Sequence, residues 1–202
     1  MKTQTILCLG DSYTIGEGVA LHQNFPYQLL QLLRKEKHSF SAPEIVAKTG
    51  WTSFELLEHL QQTMLENKYD FATILIGVNN QYRSLNATDF ATDFEILLKK
   101  ALRLVGNNAK KIIIISIPDW GVTPFAAERN EQQITNEINT FNGICELAAQ
   151  KHQTHFINIT ESTRLAKNDH NLLTTDLLHY SQKEYANWAK KVFEIIKKEI
   201  NS

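Results

Sequence analysis

The sequence lacks the features typical of disulfide-rich proteins, nucleic-acid-binding proteins and membrane proteins. It has only 2 cysteines in 202 residues, Cys8 and Cys145, and they lie too far apart in the chain to suggest a disulfide framework. Its 21 basic and 22 acidic residues leave a net charge of -1, which gives no electrostatic reason to expect nucleic acid as a partner. The first apolar run is too short for a signal-peptide core, and no stretch is long enough to span a bilayer. We therefore expect a cytoplasmic protein without integral membrane association.

Internal repeats and linkers rich in proline or glycine are also missing, with 4 prolines and 8 glycines in all. Residues 1–202 therefore predict a single domain, long enough to bury a core. Cys8 falls inside the first predicted strand, so we expect a buried free thiol there. His152 and His155 have a spacing that metal ligands use, but they lack a third ligand nearby in the sequence. We interpret them as surface residues and expect neither a metal nor a cofactor.

Segments typical of strands and helices alternate along the whole chain. Apolar and β-branched runs predict strands at residues 6–9, 44–47, 71–76, 111–117 and 155–159. Helical spacing of apolar residues predicts helices at 25–35, 53–66, 88–104, 130–150 and 181–200. Ser53 and Thr88 are the expected N-caps, and Met64 is expected on an apolar helix face. The alternation favours a five-stranded parallel sheet between two helical layers, an α/β/α sandwich.

Four short motifs lie at the ends of predicted strands or just before the last helix. They are Gly10-Asp11-Ser12, Lys48-Thr49-Gly50-Trp51, Gly77-Val78-Asn79-Asn80 and Asp176-Leu177-Leu178-His179. Each motif alone is more often an ordinary turn or a helix cap than a site. Because ligand sites in open α/β sheets form at the carboxyl edge, the four together predict one site there.

This set of motifs resembles the SGNH hydrolases, the GDSL esterase/lipase family, over essentially the whole chain. The resemblance implies that Ser12 is the nucleophile and that Asp176 and His179 complete a catalytic triad. It also implies that Gly50 and Asn79 donate hydrogen bonds to an oxyanion. The fold implied is a flavodoxin-like α/β/α sandwich, in agreement with the alternation of segments.

Asn80 departs from the family pattern, which commonly has aspartate at this position of the third motif. The neighbouring Asn79, which carries the oxyanion role, is kept. We therefore expect activity to survive, and the role of the missing carboxylate in the geometry of this loop stays open.

The chemistry implied by the resemblance requires these residue types. A serine hydroxyl is a poor nucleophile until an imidazole takes its proton, which His179 would do for Ser12. Asp176 would accept from the other ring nitrogen, fix the tautomer and stabilise the imidazolium. Attack on an ester builds negative charge on oxygen, which the backbone N–H groups of Ser12 and Gly50 and the amide of Asn79 would stabilise.

A loop at residues 118–125 follows the predicted strand with the most continuous apolar run. Its aromatic residues Trp120 and Phe125 either wall an acyl pocket beside Trp51 and Tyr82 or pack only on one another. The first interpretation predicts a small-molecule carboxylic ester with a small or medium acyl group as substrate.

The substrate within the ester class stays open at this point. A general esterase, a lysophospholipase or thioesterase, and a carbohydrate deacetylase all fit the motifs, because a fold does not imply a substrate. A non-catalytic module that binds an acylated sugar is the alternative from another class. We favour an enzyme because a binding module has no reason to keep Ser12, Asp176 and His179 together.

Overall fold

The computed structural model describes residues 3–201, so the outermost positions of the predicted domain, 1, 2 and 202, lie outside it. The strands are β1 (Ile6–Gly10), β2 (Glu44–Ala47), β3 (Phe71–Leu75), β4 (Ile112–Ile115) and β5 (His155–Ile157). The helices are α1 (Ser12–Ile15), α2 (Phe25–Lys35), α3 (Ser53–Gln62), α4 (Val78–Tyr82), α5 (Ala87–Leu104), α6 (Glu131–His152), α7 (Thr160–Thr163) and α8 (Gln182–Asn201). Short 3₁₀ turns join several of them.

The strands form one parallel sheet in the order β2-β1-β3-β4-β5. Since β2 lies on one side of β1 and the later strands on the other, right-handed crossovers place α2 on one face and α3, α5 and α6 on the other. The helix α2 packs against α8, and α5 contacts both α3 and α6. The predicted α/β sheet with helices on both faces is confirmed.

The core is centred on the middle strands. Every residue of β1, β3 and β4 is buried, as expected of parallel strands covered on both faces. Cys8 is a buried free thiol, as predicted, and burial raises its pKa to about 12. Cys145 is likewise buried and free. Within residues 3–201, no helix combines the length and apolar character needed to cross a bilayer.

Several helix boundaries differ from the prediction. The helix α3 is capped by Thr52 rather than Ser53, because Thr52 and Glu55 form a reciprocal capping box. The helix α5 is capped by Asn86 rather than Thr88. The helix α3 also ends at Gln62 instead of continuing to residue 66, since the backbone turns extended at the next residue. Met64, predicted on an apolar face, is therefore 97% exposed.

Candidate active site

Ser12 lies on a tight turn at the carboxyl end of β1. Gly10 is the last residue of β1. A Cβ at this position would lie 2.1 Å from Thr14 Oγ1 and 2.4 Å from the carbonyl oxygen of Leu75, so a larger residue does not fit. Asp11 caps α1 by accepting the Tyr13 N–H at 3.0 Å. Ser12 is the first residue of α1. It lies at the carboxyl end of β1, the strand from which the chain goes to β2 on one side and to β3 on the other, and ligand sites of open α/β sheets form at this position.

The second carboxylate oxygen of Asp11 is buried and finds no hydrogen-bond partner among residues 3–201. Burial raises the pKa of Asp11 to about 7, although the Tyr13 N–H bond opposes this. The carboxyl group next to Ser12 therefore keeps its proton to a higher pH than an exposed aspartate does.

Asp176 and His179 belong to a closed turn in the connection from β5 to α8. One oxygen of Asp176 accepts the N–H groups of Leu178 and His179, both at 2.9 Å, and the Thr174 hydroxyl at 2.7 Å. Leu177 adopts a left-handed φ of 58° to let the chain reverse. The carboxylate that orients the histidine therefore also builds the turn on which that histidine lies.

A continuous hydrogen-bonded chain joins the three predicted residues. His179 Nε2 lies 2.9 Å from Ser12 Oγ, and His179 Nδ1 lies 2.7 Å from the free oxygen of Asp176. The carboxylate can only accept from Nδ1–H, which leaves Nε2 as an acceptor for the serine hydroxyl. Burial alone would raise the pKa of Asp176, but the His179 bonds and the turn N–H groups hold it well below its usual range. The aspartate is thus an ionised partner for the imidazole.

The predicted oxyanion donors face the same cleft as Ser12. Gly50 has a φ of +83°, a left-handed conformation suited to glycine. Within residues 3–201, neither the Ser12 N–H nor the Gly50 N–H meets an acceptor, so both are available to a ligand. Asn79 Nδ2 donates one hydrogen to the Trp51 carbonyl at 3.0 Å, and its second hydrogen can donate elsewhere.

The sequence left the role of Asn80 open, and the structure gives it one away from the cleft. Its buried side chain accepts the Ser53 N–H at 2.9 Å and donates to Ser53 Oγ at 2.8 Å. The Ser53 hydroxyl in turn donates to Asp93 at 2.7 Å. Asn80 therefore connects α4 to the first turn of α3.

The cleft has a volume of about 190 Å³. Seven of the predicted site residues line it: Ser12, Gly50, Asn79, His179, Tyr82, Trp120 and Phe125. Tyr82 and Phe125 are 41% and 44% exposed, whereas Trp120 is buried. A larger cleft of about 570 Å³ lies beside it, between Glu55 and Asp89, and contains none of these seven residues.

Trp51 was predicted in the pocket wall but does not line this cleft. Its ring packs against His59, with the ring centroids 4.7 Å apart. The side chain turns toward α3, and only the Trp51 carbonyl contributes, by accepting from Asn79. His59, which is exposed, is the other half of this contact.

Four lining residues were missed: Tyr13, Thr49, Val78 and Leu178. Thr49, Val78 and Leu178 lie inside the motifs and Tyr13 directly follows one, and that position was the available signal. The Tyr13 ring packs on the His179 ring with centroids 5.2 Å apart and fills the space behind the imidazole.

The wall of the cleft is supported from behind. The Trp120 indole N–H donates to Gln81 at 2.6 Å, and Gln81 donates to Glu137 at 2.8 Å. Asp119, which is fully buried, accepts from the Gly121 N–H at 3.1 Å and from Arg164 at 3.0 Å. The loop predicted at 118–125 is therefore a fixed surface that faces the cleft, in addition to packing on its own aromatic rings.

A serine, a histidine and an aspartate joined in this order at the edge of a parallel sheet match the arrangement of serine hydrolases. The sequence profile of the GDSL-like Lipase/Acylhydrolase family matches residues 8–186, and the chain belongs to that family. No curated protein sequence matches the chain.

Solved structures share the fold at low sequence identity. The esterase EstA from Pseudoalteromonas sp., solved with monoethylphosphonate as inhibitor, is 19% identical over 98% of this chain and 100% of its own, with a TM-score of 0.74. A lipase/acylhydrolase from Enterococcus faecalis is 20% identical over 98% and 97%, with a TM-score of 0.77. The acetylxylan esterase Axe2 from Geobacillus stearothermophilus is 17% identical over 96% and 94%, with a TM-score of 0.76. Each supports the same architecture.

Proposed function

We propose that this protein is a serine esterase that hydrolyses carboxylic esters with small or medium acyl groups through an acyl-enzyme. The observation that carries the proposal is the hydrogen-bonded chain from Ser12 through His179 to Asp176, with its 2.9 Å and 2.7 Å links. Membership of the GDSL-like family supports the same chemistry.

In the acylation step, Ser12 Oγ attacks the ester carbonyl while His179 Nε2 takes the hydroxyl proton. Asp176 stabilises the imidazolium that forms, and its low pKa keeps it ionised for this role. The carbonyl oxygen becomes an oxyanion held by the N–H groups of Ser12 and Gly50 and by the Asn79 amide. When the C–O bond breaks, the alcohol leaves with the proton from His179.

In the deacylation step, a water molecule replaces the alcohol. His179 takes a proton from the water, which attacks the acyl carbonyl and forms a second oxyanion in the same place. Its collapse releases the carboxylic acid and returns the proton to Ser12 Oγ. The same three residues and the same donors therefore serve both halves of the reaction.

The dimensions of the cleft support a small substrate. Its volume of about 190 Å³ is below the roughly 300–1,000 Å³ of sites for drug-sized ligands. The rings of Trp120 and Phe125 give it an apolar wall suited to an acyl chain, and the support behind Trp120 keeps that wall in place.

An acetylated carbohydrate is the second candidate substrate. The half-exposed rings of Tyr82 and Phe125 at the cleft offer flat apolar faces of the kind that sugars stack on. The similar fold of Axe2, described as an acetylxylan esterase, is consistent with this choice. Neither observation supports a true lipase as the function of this protein.

Hydrolysis of p-nitrophenyl esters from acetate to long acyl chains tests the proposal. We expect turnover by the wild-type protein and none by Ser12→Ala, since that variant lacks the nucleophile. Ser41→Ala is the matched control, because among the described residues its hydroxyl bonds only the Gln4 carbonyl, at 3.4 Å, outside the cleft. A phosphonate ester should label Ser12 in the wild-type protein and in Ser41→Ala.

Acetylated xylo-oligosaccharides, tested in parallel, separate the two substrate candidates. Turnover of the sugar esters that greatly exceeds turnover of p-nitrophenyl acetate identifies a deacetylase. Normal hydrolysis by a folded Ser12→Ala protein contradicts the mechanism. Binding of acetylated sugars without any Ser12-dependent hydrolysis identifies a binding module instead.

A further inference from the structure

The short helix α4 and its C-cap bond two consecutive peptide groups in the turn after β2. Asn79 Nδ2 donates to the Trp51 carbonyl at 3.0 Å, and Arg83 Nη2 donates to the Gly50 carbonyl at 2.5 Å. Asn79 lies in α4 and Arg83 is its C-cap, four residues on, so both side chains extend from the same side of the helix. The turn at 48–52 is therefore held by two side chains one helical turn apart.

Arg83 is anchored on its other side as well. Its Nη1 donates to Glu55 at 3.2 Å, and the second Glu55 oxygen accepts the Thr52 N–H at 2.8 Å. Burial alone would raise the pKa of Glu55, but the bonds from Thr52 and Arg83 lower it overall. The guanidinium thus connects the Gly50 turn, the first turn of α3 and the end of α4. Since its side chain is 44% exposed, we expect the bonds to orient the turn more than to stabilise the fold.

Gly50 needs such an anchor because it has no side chain to fix its backbone. Glycine visits left-handed and extended conformations at similar cost, so a φ of +83° must be imposed by the surroundings. Only the φ and ψ of Gly50 separate its N–H from its carbonyl. A bond that fixes the carbonyl therefore also restricts where the N–H points, and within residues 3–201 that N–H has no acceptor to hold it.

We propose that Arg83 is the positioning residue of the oxyanion hole. By holding the Gly50 carbonyl it directs the Gly50 N–H toward the cleft, and through α4 it fixes this donor relative to the Asn79 amide. Arg83 itself does not line the cleft that contains Ser12, so it acts through Gly50. This inference rests on the proposed esterase function, because an oxyanion hole matters only if an ester carbonyl is attacked.

The chemistry of arginine suits this role better than that of lysine. The planar guanidinium donates to two acceptors in a fixed geometry, here the Gly50 carbonyl and Glu55. The three donors of a lysine ammonium share one nitrogen on a flexible stem, so they cannot span the two acceptors in the fixed, planar geometry of a guanidinium. Methionine keeps the apolar stem and removes every donor.

The first experiment compares Arg83→Met and Arg83→Lys with Arg34→Met as matched control. Arg34 makes the same kind of bond, from Nη2 to the Phe40 carbonyl at 3.0 Å, but near the amino end of β1. With p-nitrophenyl acetate, we expect kcat of Arg83→Met to fall by about 10- to 100-fold while KM stays within about threefold. The kcat of Arg83→Lys should fall less than that of Arg83→Met, and the kcat of Arg34→Met should stay within about twofold of the wild-type value.

The second experiment measures amide hydrogen exchange at Trp51, whose N–H bonds the Lys48 carbonyl within the turn at 3.2 Å. If Arg83 holds the turn, exchange at Trp51 should be at least about 10-fold faster in Arg83→Met and unchanged in Arg34→Met. Thermal unfolding verifies that each variant is folded. This measurement requires no activity.

The outcomes distinguish this inference from the proposed function. An Arg83→Met protein that keeps its kcat overturns the inference alone, as does a loss of kcat with unchanged exchange at Trp51. Absence of any Ser12-dependent turnover or labelling in the wild-type protein overturns the proposed esterase function itself. Faster exchange together with a lower kcat and a nearly constant KM supports the positioning role.

Discussion

Asn80 and Ser53 exchange two hydrogen bonds, in which Asn80 accepts from the Ser53 backbone and donates to the Ser53 hydroxyl. This pairing leaves the single hydroxyl proton of Ser53 free to bond Asp93. The amide is the residue type that this arrangement requires. An aspartate at position 80 would accept from the backbone but would compete with Asp93 for the hydroxyl proton.

We predict that Asn80→Asp destabilises the protein by about 1–3 kcal/mol, because the oxygen that replaces the Asn80 NH₂ has no donor while the Ser53 hydroxyl bonds Asp93, and because it adds a second negative charge near Asp93. Urea unfolding at neutral pH measures this effect. Asp93→Asn in the same background should restore most of the lost free energy of unfolding, since it removes the competing charge. An additive double mutant would show that the two side chains do not interact through Ser53.

Asp176→Asn is expected to lower kcat by about 10³- to 10⁴-fold while the protein stays folded. The asparagine oxygen can still accept the turn N–H groups, but its NH₂ faces His179 Nδ1 and favours the wrong imidazole tautomer. Steady-state hydrolysis of p-nitrophenyl acetate gives the rate. Asp169→Asn is the control, because Asp169 also caps a short turn in the same connection but bonds Lys183 rather than a histidine. Equal losses in both variants would contradict the role of Asp176.

Asp11→Asn should make the protein more stable at high pH. The pKa of Asp11 rises from 3.8 in the unfolded chain to about 7 in the fold, so the folded state holds its proton longer. Stability is therefore unaffected by this group below pH 3.8, falls as pH rises toward about 7, and stays reduced above it. Asparagine keeps the cap on Tyr13 and cannot ionise.

The measurement is the melting temperature of both proteins between about pH 4 and pH 8. We expect the two curves to meet at the acid end and the Asp11→Asn protein to melt higher at the alkaline end. A difference that stays constant with pH would mean that the Asp11 carboxyl does not titrate in this range.

Phe125→Ala should widen the cleft and change the preferred acyl length. Removal of the ring opens the wall beside Trp120, so longer chains gain contact area. We expect the ratio of kcat/KM for the hexanoate to that for the acetate to rise by about 10-fold. Phe54→Ala removes a ring of comparable exposure outside this cleft and should leave the ratio unchanged. The same change of this ratio in Phe54→Ala and Phe125→Ala would mean that the acyl chain does not bind beside Phe125.

The sheet could be predicted from sequence because its strands are short apolar runs with clear ends. The run Ile112–Ile115, followed by Pro118, has no other reasonable interpretation in an alternating chain. The helix caps were less accurate, and for α3 the better signal was present in the sequence. Thr52 and Glu55 have the spacing of a capping box, whereas Ser53 is followed by no such partner.

That Ser12, Asp176 and His179 lie together could be predicted because the motifs are local and their order is informative. Side-chain direction was not predictable in the same way, since Trp51 follows a motif glycine yet packs on His59. The contact of Arg83 with Gly50, 33 positions away in the chain, was not predictable from the motifs either. Such contacts depend on how α4 lies against the turn, which the spacing of residues does not encode.

Ser12 and His179 are separated by 167 positions, and the packing of α2 on α8 brings the two ends of the chain together. The proposed nucleophile is therefore synthesised well before its proposed base. Until the turn with His179 docks against β1, Ser12 lacks the imidazole that it bonds in the fold. Under the proposed mechanism, hydrolytic activity therefore reports on the docking of two distant parts of the chain, and a protein that lacks the segment with His179 should not hydrolyse esters.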